Sequence, residues 1–290
     1  MTYPNSKPWR FLNTSFGNAF FNMAVDEHLV RSVALDESLP VIRIFGWTPA
    51  AVSFGYAQRI GREIDAVKAK NAGIDIVRRP TGGRAVLHWN ELTYSVICPS
   101  GHDQLGGNIS EVYQAISSCL VTGLQSLGVD ASLERGRPPV PSPRGENLTS
   151  PCFSSTSQYE ITLQGKKLVG SAQRRIGGIV LQHGSLLMGS EHKQVVDLMP
   201  DNHARLRKTY RQQLEESTIC LEEAGYELNF NEIASGLREG FARSLDTELL
   251  EEPLTESEVS GVHALIDAKY GTQDWNLGDR SAEVTRRLIV

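Results

Sequence analysis

The stretch SPCFSSTSQYEITLQGKKLVGSAQRR, residues 150–175, holds two side chains whose types could do chemistry together, Cys152 and Lys167. A free cysteine thiol ionises near pH 8.5, about 8.5 being its ordinary pKa, and a neighbouring ammonium lowers that value. Lys167 close to Cys152 would therefore raise the thiolate fraction near neutral pH and make a better nucleophile. The same cation could hydrogen-bond an acyl oxygen as charge builds on it, a role in which one donor is worth roughly 3 kcal/mol. A strand and a turn between the two residues would bring them together. The competing reading is an inert buried cysteine and a solvated turn lysine, a description that adjacent Lys166 fits better. Spacing alone leaves both readings open.

The elements that must position such a pair alternate between strand and helix signals, with no repeat of fixed period. FNMAVDEHLVRSVAL carries an apolar helical stripe, and PVIRIFGW and AAVSFGY read as short strands around a Trp47-Thr48-Pro49 turn. IGREIDAVKAKNAG reads as a short helix closed by Gly73. IDIVRRPTGGRAVLHWNELTYSVIC runs strand, glycine turn, strand, so two β segments flank Gly82 and Gly83. ISEVYQAISSCLVTGLQSLG is an amphipathic helix with Val112, Ile116, Cys119, Leu120 and Leu124 towards the core. ERGRPPVPSPRGENLTSP is proline-rich and polar, a surface loop leading into Cys152 and a candidate lid. Beyond it lie a strand, a turn at Gly165-Lys166, a glycine-broken stretch and another strand ending at Gly189. HKQVVDLMP, ARLRKTYRQQ, ICLEEAG and NFNEIASGLREGFARSL then give helical patterns, and a final helix starts near Thr255.

Composition sets outer bounds on the function. With 290 residues, 40% of them apolar and 22% charged, the chain can bury a full core in a soluble globular protein. No apolar run reaches the roughly 18 residues of a membrane span, and MTYPNSKPWRF lacks the pattern of a signal peptide, so a cytoplasmic location and no membrane association are expected. The four cysteines stand far apart without a CxxC pair or matching histidines, which predicts reduced thiols and no metal. A net charge of −5 gives no support for nucleic-acid binding.

Three ordered motifs, RRPTGGRAVLHWNELTYSV, GKKLVGSAQRR and LQHGSLL, together with the tail KYGTQDWN, resemble the lipoate and biotin protein ligase family. The resemblance implies an α/β (α+β) fold, a mixed β-sheet flanked by helices, with a catalytic domain over 1–250 and a short helical tail over 251–290. ATP-dependent lipoate ligases typically carry Gly-Arg-Asn-Asp just before the lysine strand, where this chain has PCFSSTSQYE. That departure resembles the octanoyltransferases that use a cysteine there, with octanoyl-acyl carrier protein as donor and a lysine of a lipoyl-carrier protein as acceptor. The glycine-cleavage H protein and lipoyl domains are such carriers. No cofactor is implied, because an amide is more stable than a thioester and the transfer proceeds without ATP.

On that resemblance Cys152 and Lys167 are the expected catalytic residues. Gly82 and Gly83 would let a thioester-bearing arm approach backbone amides, a plain hairpin turn being the alternative. Arg78 and Arg79 would orient the turn or meet the carrier's phosphopantetheine. His88 and His183 match site-facing histidines of the family, although each could be a satisfied structural histidine. Gly170, Ser171 and Ala172 suit a wall pressed against an acyl chain, or close packing between strands. Arg205, Lys208 and Arg211 stand at near-helical spacing; a solvated face explains them better than a dock for an acidic carrier. An octanoyl amidotransferase between lipoyl domains, an ATP-dependent lipoate ligase and a noncatalytic acyl-binding protein are the rival functions.

Overall fold

A computed structural model describes residues 7–135 and 159–279. Cys152 and most of the proline-rich segment before it lie outside the described residues. In chain order the elements are β1 (Trp9–Gly17), α1 (Ala19–Ala34), β2 (Val41–Trp47), β3 (Ala51–Phe54), α2 (Ile60–Glu63), α3 (Ala66–Asn71), β4 (Asp75–Arg78), β5 (Val86–His88), β6 (Glu91–Pro99) and α4 (Ile109–Ser126). After these come β7 (Ser132–Arg135), β8 (Tyr159–Leu163), β9 (Lys166–Ile176), β10 (Ile179–Leu187), a 3-10 segment (Ser190–Leu198), α5 (Ala204–Ser217), α6 (Phe230–Ser244), β11 (Leu249–Glu251), α7 (Glu256–Leu265) and α8 (Gln273–Leu277).

Eight strands form one mixed sheet in the order β11-β1-β2-β6-β10-β9-β8-β7, and a second sheet has the order β4-β3-β5. Both faces of the large sheet are covered, which is why β2 and β10 are buried at every position. The period of two sends Ile42 and Ile44 of β2 into a core with α4 and α6, while Val41 and Phe45 enter a second core with α1. Tyr270 and Trp275 belong to that second core, so the carboxy-terminal tail packs on α1. The mixed sheet flanked by helices is the expected fold class.

Several local expectations change under tertiary context. The strands around Trp47-Thr48-Pro49 are real but belong to different sheets. The helix read over 60–73 is two, α2 and α3, because Asp65 caps the second by accepting from the Val67 and Lys68 amides. The turn before β9 uses positive φ at Gln164 (52°) and Gly165 (71°), so Lys166 and Lys167 already lie in the strand. The stretch expected to be glycine-broken is a continuous strand of 11 residues. ICLEEAG forms turns, and HKQVVDLMP is 3-10. The strong amphipathic helix is α4, with all five named core positions buried.

The change with most consequence concerns Gly82 and Gly83. β4 and β5 do not pair with each other: each pairs with β3, one parallel and one antiparallel, so residues 79–85 cross over the end of β3 and do not form a hairpin. Gly55, just beyond β3, lies under that crossover, and a Cβ there would stand 2.1 Å from the Gly83 carbonyl oxygen. Replacing Gly55 with alanine should destabilise the fold by about 1 to 3 kcal/mol, the range for overpacking a close contact. Gly61, where a Cβ would meet nothing within 4 Å, should tolerate the same replacement. Denaturant midpoints of G55A and G61A check this, and equal midpoints would contradict the close contact.

Candidate active site

One cavity of about 130 Å³ opens between the crossover loop, β9 and β10. Of the residues expected at the site, Arg79, Gly83, His88, Lys167, Gly170, Ser171, Ala172 and His183 line it. Gly82 belongs to the crossover but not to the lining, and Arg78 is placed away from it. The antiparallel register sets Gly170 opposite Ser185, Ser171 opposite Gly184 and Ala172 opposite His183, so small residues on neighbouring strands make one wall. The Ser171 hydroxyl meets the Tyr94 hydroxyl at 2.7 Å, and burial pushes the Tyr94 phenol well above its ordinary value. Met23, Trp47 and Val86 supply apolar lining.

Lys167 is buried, not solvated, and its Nζ donates to Glu160 Oε1 at 2.9 Å. Its backbone is fixed from two sides: β8 pairs with it through Thr162, and the Ile219 amide donates to its carbonyl. The cation is therefore held in the cavity wall with its geometry set by a hairpin.

The two arginines of RRPTGG serve different parts of the fold. Arg78 donates from its guanidinium to the carbonyls of Trp275, Gly55, Tyr56, Gln58 and Gly278, joining the carboxy-terminal segment to β4. Arg79 donates to the carbonyls of Ser53, Gly82 and Arg84 and to the Ser53 hydroxyl, gripping the crossover from within. Gly83 faces the same guanidinium with φ of 94°, a conformation that favours glycine.

Each histidine is held by a carboxylate. His183 places Nδ1 3.1 Å from Asp26 Oδ2 and Nε2 2.6 Å from Thr81 Oγ1, which ties the crossover to β10. Burial outweighs Asp26 and lowers the His183 pKa, which favours the neutral ring. Burial also opposes ionisation of Asp26, yet Arg43 at 2.7 Å and His183 prevail and hold its carboxyl below the ordinary value. His88 places Nδ1 2.9 Å from Glu91 Oε1 and Nε2 2.7 Å from Ser53 Oγ, with the Trp47 indole stacked on it at 4.0 Å.

Ser53, Glu91, Asp26 and Glu160 were not singled out from the sequence. Glu91 follows His88 by three residues and Asp26 interrupts an apolar helix face, which were the available signals. Arg205 and Lys208 are exposed on α5, while Arg211 pairs with Asp197 at 2.6 Å. Among the described residues, no group of His, Cys, Asp and Glu is arranged to hold a metal ion, and no helix is long and apolar enough to cross a membrane.

Known proteins share both this sequence and this architecture. The family described as lipoyl protein ligase A/B catalytic domain matches residues 18–242. The octanoyltransferase LipM of Kyrpidia tusciae is 40% identical over 273 residues, covering 92% of this chain and 98% of that protein. The octanoyltransferase LipM of Staphylococcus aureus is 36% identical over 275 residues, covering 93% and 98%. Among solved structures, a bi-partite lipoate protein ligase studied with its E2 lipoyl domain, from Thermoplasma acidophilum, superposes with a TM-score of 0.76 at 25% identity, over 94% of this chain and 98% of that one. A cysteine-and-lysine sequence, a crossover gripped by arginine and a small-residue wall thus meet a match across most of the chain: it belongs to the lipoyl protein ligase A/B catalytic-domain family.

Proposed function

We propose that this protein is an octanoyltransferase of lipoate biosynthesis, moving an octanoyl group from acyl carrier protein through a Cys152 thioester to a lysine of a lipoyl-carrier protein. The observation that carries the reading is the buried Lys167 ammonium in the wall of a cavity that also holds the crossover loop and small-residue wall. Its relatives named octanoyltransferase LipM support the same activity.

In the first half-reaction the Cys152 thiolate attacks the donor thioester, the donor's C–S bond breaks and the carrier thiol departs. The acceptor lysine's amine then attacks the Cys152 thioester, forming the amide and releasing the cysteine. Lys167 would supply positive charge in both steps, favouring the thiolate and hydrogen-bonding the oxyanion. The described cysteines do not offer a rival nucleophile. Cys98, Cys119 and Cys220 are buried, and burial pushes their thiols up to about 12, about 12 and about 11. Lining cations Lys167, Arg79 and Arg84 with no acidic side chain among the described lining residues suit an acyl group carried on an anionic arm. An amidotransferase taking octanoyl from another lipoyl domain differs only in donor. The missing Gly-Arg-Asn-Asp stretch speaks against an ATP-dependent ligase.

Incubation with octanoyl-acyl carrier protein should add one octanoyl group to Cys152, removable by hydroxylamine, and Cys152→Ala should neither load nor turn over. Intact-mass measurement checks this; an alanine variant transferring near the wild-type rate would remove the nucleophile assignment.

Lys167→Met should slow loading by about 10²-fold, the lower end for one oxyanion donor. It should also raise the Cys152 pKa in an alkylation profile. An unchanged profile with unchanged turnover would leave Lys167 without a catalytic role.

A cavity that closes around the bound acyl chain should also select chain length. Each buried methylene is worth about 0.8 kcal/mol, so octanoyl should exceed hexanoyl by on the order of 1.6 kcal/mol, roughly fifteenfold. Decanoyl should fall behind again, because overpacking costs about 1 to 3 kcal/mol. Competing the three carriers in one tube and weighing the acyl groups on Cys152 tests this. Equal use of all three would rule out a closed acyl site.

A further inference from the structure

We propose that His88, oriented by Glu91 and reached through Ser53, is the base that takes the proton of the acceptor lysine's amine in the second half-reaction. This rests on the Cys152 relay proposed above. Aminolysis differs from loading in one respect that the site must answer: a nucleophilic amine carries a proton that has to leave as the C–N bond forms. Loading by a thiolate has no such requirement.

The groups around His88 form a directed chain. Nδ1 lies 2.9 Å from Glu91 Oε1 and 3.2 Å from the Ser185 hydroxyl; the carboxylate can only accept and is the nearer, which places the ring proton on Nδ1 and leaves Nε2 as an acceptor. Nε2 lies 2.7 Å from the Ser53 hydroxyl. Ser53 in turn accepts from Arg79 Nη1 at 3.0 Å, so its own hydrogen is directed to His88. Ser53 and His88 reach each other because β3 and β5 pair antiparallel, with Ser53 opposite Val86 and His88 opposite Ala51, a diagonal neighbour relation. Both residues line the cavity that holds Lys167, so the chain ends where an amine would enter.

Two further features favour a transient imidazolium at this position. The Trp47 ring lies parallel to the imidazole, 14° from coplanar, and an indole face attracts a cation. Glu91 is held in place by Thr93, whose hydroxyl donates to the same Oε1 and accepts from Trp47 Nε1 at 2.7 Å. The second oxygen, Oε2, is buried with no hydrogen-bond partner among the described residues, so the hydrogen bonds that hold the carboxylate are those of Oε1 to His88 and Thr93. His183 does not serve the same purpose: its two nitrogens bond Asp26 and Thr81, and Thr81, unlike Ser53, does not line the cavity. Lys167 donates to Glu160 and acts as a cation.

Atoms and electrons balance across the step. The amine nitrogen forms the C–N bond to the Cys152 thioester carbon, its proton passes to Ser53 Oγ, and the Ser53 proton passes to His88 Nε2. The C–S bond breaks with its electron pair on sulfur, and the imidazolium returns the proton to the thiolate. The charged groups facing this chain are Glu91, Arg79 beyond Ser53, and Lys167 and Arg84 in the lining. His183 on β10 interacts electrostatically with His88, and His192, from the 3-10 segment packed on β5, interacts with Glu91.

The experiment separates the two half-reactions. Enzyme loaded on Cys152 with octanoyl-acyl carrier protein is freed of donor and mixed with a lipoyl domain, and transfer is timed by quenched-flow mass spectrometry from pH 5.5 to 9. His88→Asn should slow transfer by roughly 10²- to 10⁴-fold more than it slows loading, the range for general base catalysis, and lose the acid limb of its transfer pH profile. Glu91→Gln keeps the imidazole, so it should transfer more slowly with that limb moved to lower pH, and it decides the matter if His88→Asn does not fold. Wild-type transfer rates in His88→Asn, or equal losses in both halves with the limb of Glu91→Gln unmoved, would overturn the assignment. A wild-type enzyme that never carries octanoyl on Cys152 would instead overturn the relay itself and the step built on it.

Discussion

The site depends on one problem of hydrogen-bond satisfaction. Because β4 and β5 flank β3, residues 79–85 must pass over a strand end, with Thr81 and Ala85 buried beneath and Gly82 and Gly83 exposed at the crest. The loop's carbonyls need donors, and the buried Arg79 guanidinium provides them to Gly82 and Arg84 while also donating to the Ser53 carbonyl of β3 below. Gly55 and Gly83 make the close approach sterically allowed, and Thr81 fastens the loop to His183. Arg78 fulfils the same need for the carboxy-terminal segment, through the carbonyls of Trp275 and Gly278. One Arg-Arg pair thus holds the cavity rim and the tail against opposite sides of β4.

Charge is arranged around the cavity by pairing. Lys167 has Glu160 and Asp26 has Arg43 as ion pairs, while His88 and His183 hydrogen-bond Glu91 and Asp26. Breaking a buried ion pair by removing one partner costs about 3 to 5 kcal/mol, so Glu160 and Asp26 are structural as well as chemical. The pairs also divide the chemistry of acyl transfer. A fixed ammonium suits the oxyanion common to both steps, and a carboxylate-backed imidazole suits the proton released in only one of them.

The features legible in the sequence were those encoded locally. GKKLVGSAQRR carried the lysine and the small residues of the wall together, because they are near neighbours along a single strand. α4 was legible from its apolar stripe. Partnerships across long separations were not. Nothing local to Ser53 announces an imidazole 35 residues on, nor does Asp26 announce His183, 157 residues away. The glycine crossover was read with a hairpin turn as the alternative, since Gly-Gly between strands has that form unless a third strand intervenes, and β3 precedes it in the chain. Arg78 and Arg79 showed the same limit: two adjacent arginines look alike until the carbonyls around each are known.

The central claim is that this cavity receives the acyl group beside the Lys167 cation. A crystal structure of the enzyme trapped as its Cys152 octanoyl thioester tests it most directly. The account predicts the octanoyl chain lying along Gly170, Ser171 and Ala172 towards Trp47, with Lys167 Nζ within hydrogen-bond distance of the thioester carbonyl oxygen. An acyl chain seated elsewhere, with Lys167 Nζ out of reach of the thioester carbonyl oxygen, would contradict it.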